Sequence, residues 1–353
     1  MEAHLEPSKQ EIPVPQIHLV NPLWDASGGA DWRTIDTWRL LRRHSRVELW
    51  TEFEPAQVFS RDYPVQRIRP LSLQFPRGGT LVFIGTYFRI GHWTRLASFD
   101  RVLILYNTNQ PDRLAKNMQR LARAGHEVEV IYTSQALRQL HGGHGEVLES
   151  PIDVQRFSPA RAPRPARTFT VGRLSRDLRS KHHEEDPLLW RALARAGCRV
   201  RLMGATCLAD ELADEPGIEV LPAGAEDPAE FLRSLDCFVY RTSARWFEAY
   251  GRVVMEAMAT GLPVVAGERG GYVEQLRDGA SGHVVSSTGE AIARVLALAA
   301  DRDAAKALGE RARHFAFTFN MEYLSRRTVE LLTDPSAAPG SRSEPRGIAT
   351  ATG

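Results

Sequence analysis

Cysteine is scarce in this chain of 353 residues, which holds three: Cys198, Cys207 and Cys237. Three unevenly spaced cysteines argue against a disulfide framework or a cysteine-based zinc cluster and are typical of a reduced, cytosolic protein. Long apolar runs are also missing, since no stretch approaches the roughly 18 residues that would span a bilayer. The first residues lack the basic start and apolar core of a secretion signal. We therefore expect a cytoplasmic protein that is neither secreted nor integral to a membrane, with the inner face of the membrane as an alternative location.

A dominant charge of one sign is absent as well. The 45 basic and 43 acidic residues leave a formal net charge of +2, so no overall field argues for a nucleic-acid partner. Apolar residues make up 43% of the chain, which is enough for real hydrophobic cores. Because one core seldom serves more than about 250–300 residues, two domains are expected.

Short apolar runs alternate with helical patterns along the chain, which is typical of βαβ units with parallel sheets. In the first half, strands are predicted at 17–20, 47–50, 80–84, 102–106 and 128–132, with helices at 32–43 and 112–124. In the second half, strands are predicted at 169–171, 200–203, 218–221, 237–240, 263–266 and 283–285, with helices at 186–196, 228–234, 252–260 and 290–300. The predicted fold class is α/β, with two Rossmann-like domains that face each other across a ligand-binding cleft.

A segment with four prolines and no regular period divides the two halves. We interpret 151–167 as a linker between an N-terminal Rossmann-like domain at 1–150 and a C-terminal Rossmann-like domain at 168–318. An amphipathic helix at 319–333 is expected to pack back at the domain junction. The tail at 334–353 is rich in Ser, Gly, Pro, Arg and Ala, and it is expected to be disordered.

The most informative segment reads FEAYGRVVMEAMATGLPVVAGERGG and places Glu248 and Glu256 on either side of seven residues. A helix that starts near Gly251 leaves the amides of Tyr250, Gly251 and Arg252 unpaired at the positive end of its dipole, ready for a diphosphate. Glu256 lies deeper in that helix among apolar neighbours, where two ribose hydroxyls would satisfy its carboxylate. Taken singly, Glu248 could be an ordinary acid near a helix N-terminus, and Glu256 could be paired with an arginine or cap an amide elsewhere. Their joint spacing favours a sugar-nucleotide site.

Two other loops follow predicted strands. VGRLSRDLRSKHH places Arg173 and Lys181 in a loop at the end of the first strand of the second domain, where two cations could neutralise a leaving diphosphate in place of a metal ion. A solvated surface is the alternative. NPLWDASGGADWR places Gly28 and Gly29 in a tight turn whose amides could approach a phosphate. The alternative is a plain turn in which Asp31 caps the following helix.

No metal site is expected. The histidines lie in Gly-rich or charge-rich loops without carboxylates at metal-ligand spacing, and four of them are interpreted as solvated: His141, His144, His182 and His183. Aromatic residues in the loops of the first domain are interpreted mostly as core, with contact to a lipid-linked glycan as the alternative: Trp24, Trp32, Tyr87, Phe88 and Trp93.

Together these motifs resemble the retaining glycosyltransferases of family 4, glycosyl transferases group 1, which have the GT-B fold. The resemblance is strongest from Pro151 to Val285, where PIDVQRFSP is similar to the interdomain segment, VGRLSR to the phosphate-binding loop and EAYGRVVMEAMATGLPVVAGERGG to the paired-glutamate signature. The chain departs from the family pattern at Lys181, which follows Arg173 at a longer distance than usual. It also departs at IGTYFRIGHW, which offers Tyr87 where the family often has a histidine.

The resemblance implies a catalytic set of three residues: Glu248, Arg173 and Lys181. It implies a donor-binding set that contains these three and adds the first loop and the helix mouth: Gly28, Gly29, Ala249, Tyr250, Gly251, Arg252 and Glu256. In this assignment Glu248 contacts the transferred sugar, Glu256 the ribose, and the cations and backbone amides the diphosphate. The resemblance also implies that the domain at 168–318 binds the nucleotide sugar and the domain at 1–150 binds the acceptor.

The predicted function is retaining transfer of a hexose from a UDP or GDP sugar to a hydroxyl acceptor, in bacterial glycan or glycoconjugate biosynthesis. No metal or other cofactor and no nucleic acid are expected, and a glycan or lipid-linked acceptor with peripheral membrane contact is an open possibility. Two alternatives remain, a nucleotide-sugar epimerase and an inactive sugar-nucleotide-binding subunit. A dinucleotide oxidoreductase is disfavoured, because no Gly-x-Gly-x-x-Gly motif follows the first strand.

Overall fold

The computed structural model describes residues 15–160, 168–276 and 279–333. The last part of the predicted linker, 161–167, and the tail predicted to be disordered, 334–353, lie outside the described residues. Among the described helices, none combines the length and the hydropathy that crossing a bilayer requires.

The first half forms one parallel sheet of seven strands. These are β1 (Gln16–Val20), β2 (Arg46–Thr51), β3 (Val65–Arg67), β4 (Thr80–Ile84), β5 (Arg101–Tyr106), β6 (Glu129–Tyr132) and β7 (Glu146–Val147), in the order β3-β2-β1-β4-β5-β6-β7. The helices are α1 (Gly29–Leu41), α2 (Gln57–Asp62), α3 (Trp93–Leu96), α4 (Pro111–Arg123) and α5 (Gln135–Leu140). The strand order reverses between β1 and β4, and the loops that follow these two strands open a crevice there.

The second half repeats this plan with six parallel strands. These are β8 (Thr170–Leu174), β9 (Arg199–Met203), β10 (Ile218–Leu221), β11 (Cys237–Tyr240), β12 (Val264–Gly267) and β13 (His283–Val285), in the order β10-β9-β8-β11-β12-β13. The helices are α6 (Asp186–Arg195), α7 (Ala209–Leu212), α8 (Pro228–Arg233), α9 (Arg252–Ala259), α10 (Thr288–Ala300) and α11 (Arg302–Thr318). Here the order reverses between β8 and β11.

Each sheet lies between two apolar clusters, one on each face, so its strands are nearly continuous apolar runs. The strand β5, with the sequence RVLILY, is buried along its whole length. The predicted α/β fold with two Rossmann-like domains is confirmed, and every predicted strand is present. The edge strands β3 and β7 were not predicted, because three and two residues are too few to show a period.

The chain crosses between the domains twice. In the first crossing, Ile152, Val154 and Phe157 pack into the core of the second domain. In the second, α11 continues through a π-helical turn (Phe319–Leu324) into α12 (Ser325–Thr333), which packs against α1 and β1 of the first domain. Asn320 joins the two crossings, because its Oδ1 accepts a hydrogen bond from the backbone N–H of Ile152 at 3.1 Å.

Candidate active site

A cavity of about 870 Å³ lies between the two domains, where the strands of both sheets end. Its first-domain wall follows β1, β4, β5 and β6, and its second-domain wall follows β8, β9 and β11. The volume suits a ligand larger than a single nucleotide ring, since small-molecule sites commonly measure about 300–1,000 Å³. Of the predicted site residues, all but Arg173 line this cavity: Gly28, Gly29, Lys181, Glu248, Ala249, Tyr250, Gly251, Arg252 and Glu256.

Glu248 and Lys181 form an ion pair on the second-domain wall. The carboxylate of Glu248 accepts hydrogen bonds from Lys181 Nζ and from the hydroxyl of Tyr240, the latter at 2.8 Å. The Glu248 and Lys181 side chains are 14% and 8% exposed. Burial acts to raise the pKa of Glu248, but the ammonium and the hydroxyl outweigh it and hold that pKa below its usual value. Glu248 is therefore an ionised carboxylate at neutral pH.

Two aromatic side chains that were not predicted complete this part of the wall. Tyr240 ends β11, so the rule that sites lie where parallel strands end could have found it. The ring of Trp246 lies beneath the Lys181 ammonium, with 4.7 Å from Nζ to the ring centroid. No local pattern in the sequence marks Trp246.

The mouth of α9 opens on the cavity. Gly251 is the N-cap residue with φ 75° and ψ 55°, and a Cβ at this position would lie 2.9 Å from Cδ1 of Tyr272. Glycine is therefore required both by the left-handed backbone and by the space available. No side chain caps this helix, and the residues from Ala249 to Arg252 all line the cavity. This geometry leaves the positive end of the helix dipole facing the cavity.

Glu256 lies one turn into α9, and its carboxylate is paired with Arg252 at 3.2 Å. The Arg252 guanidinium also contacts Asp36 of α1 at 2.8 Å and Ser150 Oγ at 2.9 Å, so it connects the two domains. Burial raises the pKa of Glu256, and the charge of Arg252 opposes this. The alternative explanation for Glu256, a pair with an arginine, is thus present in the structure. Its contact with a ribose stays a prediction.

The predicted position of Arg173, in a loop that faces the cleft, is wrong. The strand β8 continues through Leu174, so Arg173 is a strand residue with a fully buried side chain. Its guanidinium donates hydrogen bonds to the backbone carbonyls of Lys181 and Arg241 and lies 3.7 Å from Asp186. Arg173 thus supports the loop that carries Lys181. The arginine of this loop that lines the cavity is Arg176.

The interpretation of His182 as a solvated residue is also wrong. The loop after β8 folds into a 3₁₀ turn at Arg179–Lys181, which turns His182 into the domain, where its Nε2 lies 3.0 Å from the carbonyl oxygen of Gly204. Burial lowers the pKa of His182 to about 3. Within the described residues, no group of three or more His, Cys, Asp or Glu side chains is arranged to hold a metal ion.

The first-domain wall starts at the amino end of α1. Gly28 is the N-cap residue and Gly29 the first residue of this helix, which begins earlier than predicted. Asp31 therefore lies inside the first turn and makes no capping hydrogen bond, so the capping alternative is wrong. Its carboxylate fills the space beside Gly28, where an added Cβ would lie 2.3 Å from Asp31 Oδ2. Burial raises the pKa of Asp31 to about 7.

The aromatic residues of the first domain divide between core and cavity. Phe88 and Trp93 are buried in the core, as predicted. Trp24 and Tyr87 are 48% and 37% exposed and line the cavity, with 6.2 Å between their ring centroids. The half-buried Trp32 also lines the cavity.

Residues 154–315 match the family model described as glycosyl transferases group 1. The match covers the second domain and less than half of the chain. The resemblance predicted from the motifs is therefore confirmed, while the narrower assignment to family 4 stays a prediction. Curated relatives agree in part: a D-inositol 3-phosphate glycosyltransferase of Streptomyces griseus is 33% identical over 114 residues, and a GDP-mannose-dependent phosphatidylinositol monomannoside mannosyltransferase of Mycolicibacterium smegmatis is 42% identical over 90 residues. These matches cover 32% and 24% of the chain, and 24% and 23% of the relatives' own length.

Solved structures of the GT-B class match the fold over both domains. HepE of Anabaena in complex with UDP-glucose superposes with a TM-score of 0.70 at 17% identity, over 90% of this chain and 99% of that one. Sucrose-phosphate synthase of Thermosynechococcus elongatus gives a TM-score of 0.69 at 16% identity, over 90% and 98%. At these identities the likeness shows the fold alone. The predicted GT-B architecture is confirmed.

Proposed function

We propose that this protein transfers a hexose from a nucleoside diphosphate sugar to an acceptor hydroxyl with retention of configuration. The observation that carries the proposal is the meeting of Glu248, Lys181 and the uncapped mouth of α9 on one wall of the interdomain cavity. The family match over the second domain supports it, as do the names of the relatives and the UDP-glucose bound to HepE.

The charges on this wall suggest how a donor would bind. The diphosphate would lie at the mouth of α9, near the cations of Lys181 and Arg176, which would balance its charge in the way a metal ion does elsewhere. Lys181 is paired with Glu248. A diphosphate would compete for that ammonium and leave the Glu248 carboxylate to accept hydrogen bonds from the sugar hydroxyls. Donor binding would thus exchange one ion pair for another.

The reaction that we propose needs no strong side-chain base. The departing phosphate would take the proton of the acceptor hydroxyl on the face from which it leaves, which gives retention. Catalysis would then depend on holding donor and acceptor in place and on stabilising the developing negative charge. Lys181 and Arg176 are the side chains that would supply this stabilisation.

The variant Glu248→Gln tests this function. A screen of nucleoside diphosphate sugars by thermal shift identifies the donor, because a ligand that binds the folded state raises its stability. We expect Glu248→Gln to lower the transfer rate by about 100-fold or more, since one well-placed polar group in a transition state is commonly worth this much. The exposed Glu310, whose nearest cation is Lys306 at 3.9 Å, provides the control Glu310→Gln. Full activity in Glu248→Gln would sink the proposal.

The same assay separates the two alternatives. An epimerase would convert the donor sugar in the absence of any acceptor, and product analysis with donor alone would detect the new sugar nucleotide. An inactive subunit would bind the nucleotide sugar by calorimetry and turn over none of it.

A further inference from the structure

We propose that Arg33, Thr133 and Tyr250 form an oxyanion subsite that holds a phosphate group of the bound substrate. The inference rests on the proposed function in so far as the cavity is taken as the substrate site. Arg33 lies in α1 and Thr133 follows β6, both in the first domain, and Tyr250 lines the same cavity at the mouth of α9. Thr133 and Tyr250 are close, because their chain neighbours Ser134 and Ala249 share a hydrogen bond of 2.7 Å.

The three side chains share an unusual state: each is buried, lines the cavity and has polar atoms without a protein partner. Arg33 is 1% exposed, Thr133 0% and Tyr250 4%. Arg33 donates one hydrogen bond, from Nη2 to the carbonyl oxygen of Leu148 at 2.6 Å. Among the described residues, no partner lies within hydrogen-bond distance of Arg33 Nε or Nη1, Thr133 Oγ1 or the Tyr250 hydroxyl. Buried polar atoms are usually satisfied, so four such atoms around one cavity indicate a ligand.

The charge of Arg33 specifies what kind of ligand this is. A buried cation without a counter-ion is costly, and within the described part of the chain Arg33 makes no ion pair within 4 Å. Burial lowers the pKa of Arg33 to about 10, so the guanidinium stays protonated at neutral pH. The nearby Glu149 is itself buried, and burial raises its pKa, which weakens it as a counter-ion. An incoming anion would supply the missing negative charge.

A phosphate fits these donors better than a neutral group does. The unpartnered Arg33 nitrogens Nε and Nη1 are charged donors from which phosphate oxygens can accept, and the hydroxyls of Thr133 and Tyr250 can each donate to a further oxygen. The amino end of α1 opens on the same cavity at Gly28 and Gly29, which adds positive potential there.

Arg252 provides a contrast within the same cavity. Its guanidinium is also buried, but it is paired with Asp36 at 2.8 Å and with Glu256 at 3.2 Å and donates to Ser150 at 2.9 Å. Where an arginine in this cavity holds the two domains together, the fold thus supplies its partners. Arg33 has no such set of partners, so its role is towards a ligand.

The phosphate could come from either substrate. One source is the diphosphate of the donor, reached from the first-domain side. The other is a phosphate carried by the acceptor itself. Both sources present a phosphate group to Arg33. Binding experiments with donor-side and acceptor-side probes distinguish between them.

The test uses calorimetric titration of the full chain and of three variants, Arg33→Gln, Thr133→Val and Tyr250→Phe. The donor-side probes are UDP and GDP. The acceptor-side probes are inorganic phosphate and glycerol 3-phosphate, measured with and without saturating nucleotide. The control is Arg42→Gln, which removes the same charge from the exposed C-cap of α1, outside the cavity. Thermal unfolding of each ligand-free variant runs in parallel.

We expect Arg33→Gln to weaken binding of at least one phosphate probe by roughly tenfold or more, and the two hydroxyl variants to weaken it by roughly threefold. Because Thr133→Val and Tyr250→Phe remove unpartnered hydroxyls, both variants should unfold at the wild-type temperature or above it when no ligand is bound. Loss of UDP or GDP binding would assign the donor diphosphate, and loss of glycerol 3-phosphate binding the phosphate of the acceptor.

Unchanged affinity for every probe in all three variants would overturn the subsite, as would lower stability of the ligand-free variants with affinity unchanged. The proposed function fails separately, if the wild-type chain binds neither nucleotide. In that case the titrations with inorganic phosphate decide alone. Calorimetric binding of phosphate to the wild type that Arg33→Gln abolishes would support the subsite. Absence of phosphate binding to the wild type would overturn it.

Discussion

Buried polar side chains support the loop that carries Lys181 on the side away from the cavity. Arg173 donates to the backbone carbonyl of Lys181, and Asp186 accepts a hydrogen bond from the backbone N–H of His183 at 3.0 Å. Between them His182 contacts the carbonyl of Gly204. The ammonium that meets Glu248 therefore depends on a support that is out of contact with the cavity, and changes to this support should act on stability first.

The protonation of His182 gives a prediction with a definite sign. Its folded-state pKa of about 3 lies below the usual 6.5, so as the pH falls the unfolded chain binds this proton first. Folded stability is therefore lost progressively from about pH 6.5 towards pH 3. Between pH 7 and pH 5 the wild type should lose about 2 kcal/mol more unfolding free energy than His182→Gln, which cannot titrate. Urea unfolding at the two pH values measures this, and an equal loss in both proteins would contradict it.

For single residues, the sequence predicted the position in the fold better than the direction of the side chain. Lys181, Glu248 and Gly251 were assigned correctly to the cavity wall, because residues that follow parallel strands share one edge of a sheet. The orientation of Arg173 was missed because β8 is longer than its apolar run. Successive strand residues alternate between faces, so extending the strand through Leu174 turns Arg173 to the same buried face as Val171.

Among the described elements, the C-terminal helical segment extends from the second domain to the first. It begins as α11 on the second domain and ends as α12 on the first, where Leu331 and Leu332 are buried. The carbonyl oxygen of Leu331 accepts a hydrogen bond from Arg101 Nη1 at 2.7 Å, which ties α12 to β5. The sequence predicted a helix that returns to the domain junction. It did not predict the π-helical turn at Phe319–Leu324, because a single extra residue in one turn leaves almost no trace in the apolar period.

The variant Leu332→Ala tests the contribution of α12 to the first domain. Removing this buried side chain should cost about 2–3 kcal/mol, because it leaves a cavity against α1 and β1. Hydrogen exchange should accelerate in β1 and α1 and stay unchanged in β11 and β12. The control is Glu330→Ala on the exposed face of α12, where Glu330 pairs weakly with Arg326 at 3.8 Å. Equal acceleration in both domains would show that α12 is not a part of the first domain.

In the whole molecule, the two domains are joined around the cavity by specific polar contacts. The carboxylate of Glu274, in the second domain, accepts hydrogen bonds from the backbone N–H groups of Gln135 and Ala136 at the start of α5, at 3.0 and 2.6 Å. Ser134 Oγ donates to the carbonyl oxygen of Ala249 at 2.7 Å. These contacts hold the cavity walls together, and none of them follows from a local sequence pattern. Asp36 and Arg252, for example, meet across 216 positions of chain.

Glu274→Ala should therefore favour a more open molecule. The contact is partly exposed, so we expect it to contribute no more than about 1 kcal/mol to closure, which is a roughly fivefold change in the ratio of open to closed forms. Small-angle scattering of the ligand-free protein should show a larger radius of gyration, and a bound nucleotide sugar should reverse the change. Glu268→Ala, at an exposed residue shortly before Glu274, is the control. Identical scattering curves for Glu274→Ala and the wild type would rule out this role.

The double crossing of the chain has a consequence for how such an opening would proceed. Two connections fix a line, and rotation about that line is the rigid-body motion that strains neither connection. Because Asn320 ties the second crossing to Ile152 in the first, the two crossings lie next to each other. The domains of this protein should therefore swing about a single axis near Asn320, with the largest displacement at the residues farthest from it. A motion that draws the two crossings apart would have to break that hydrogen bond.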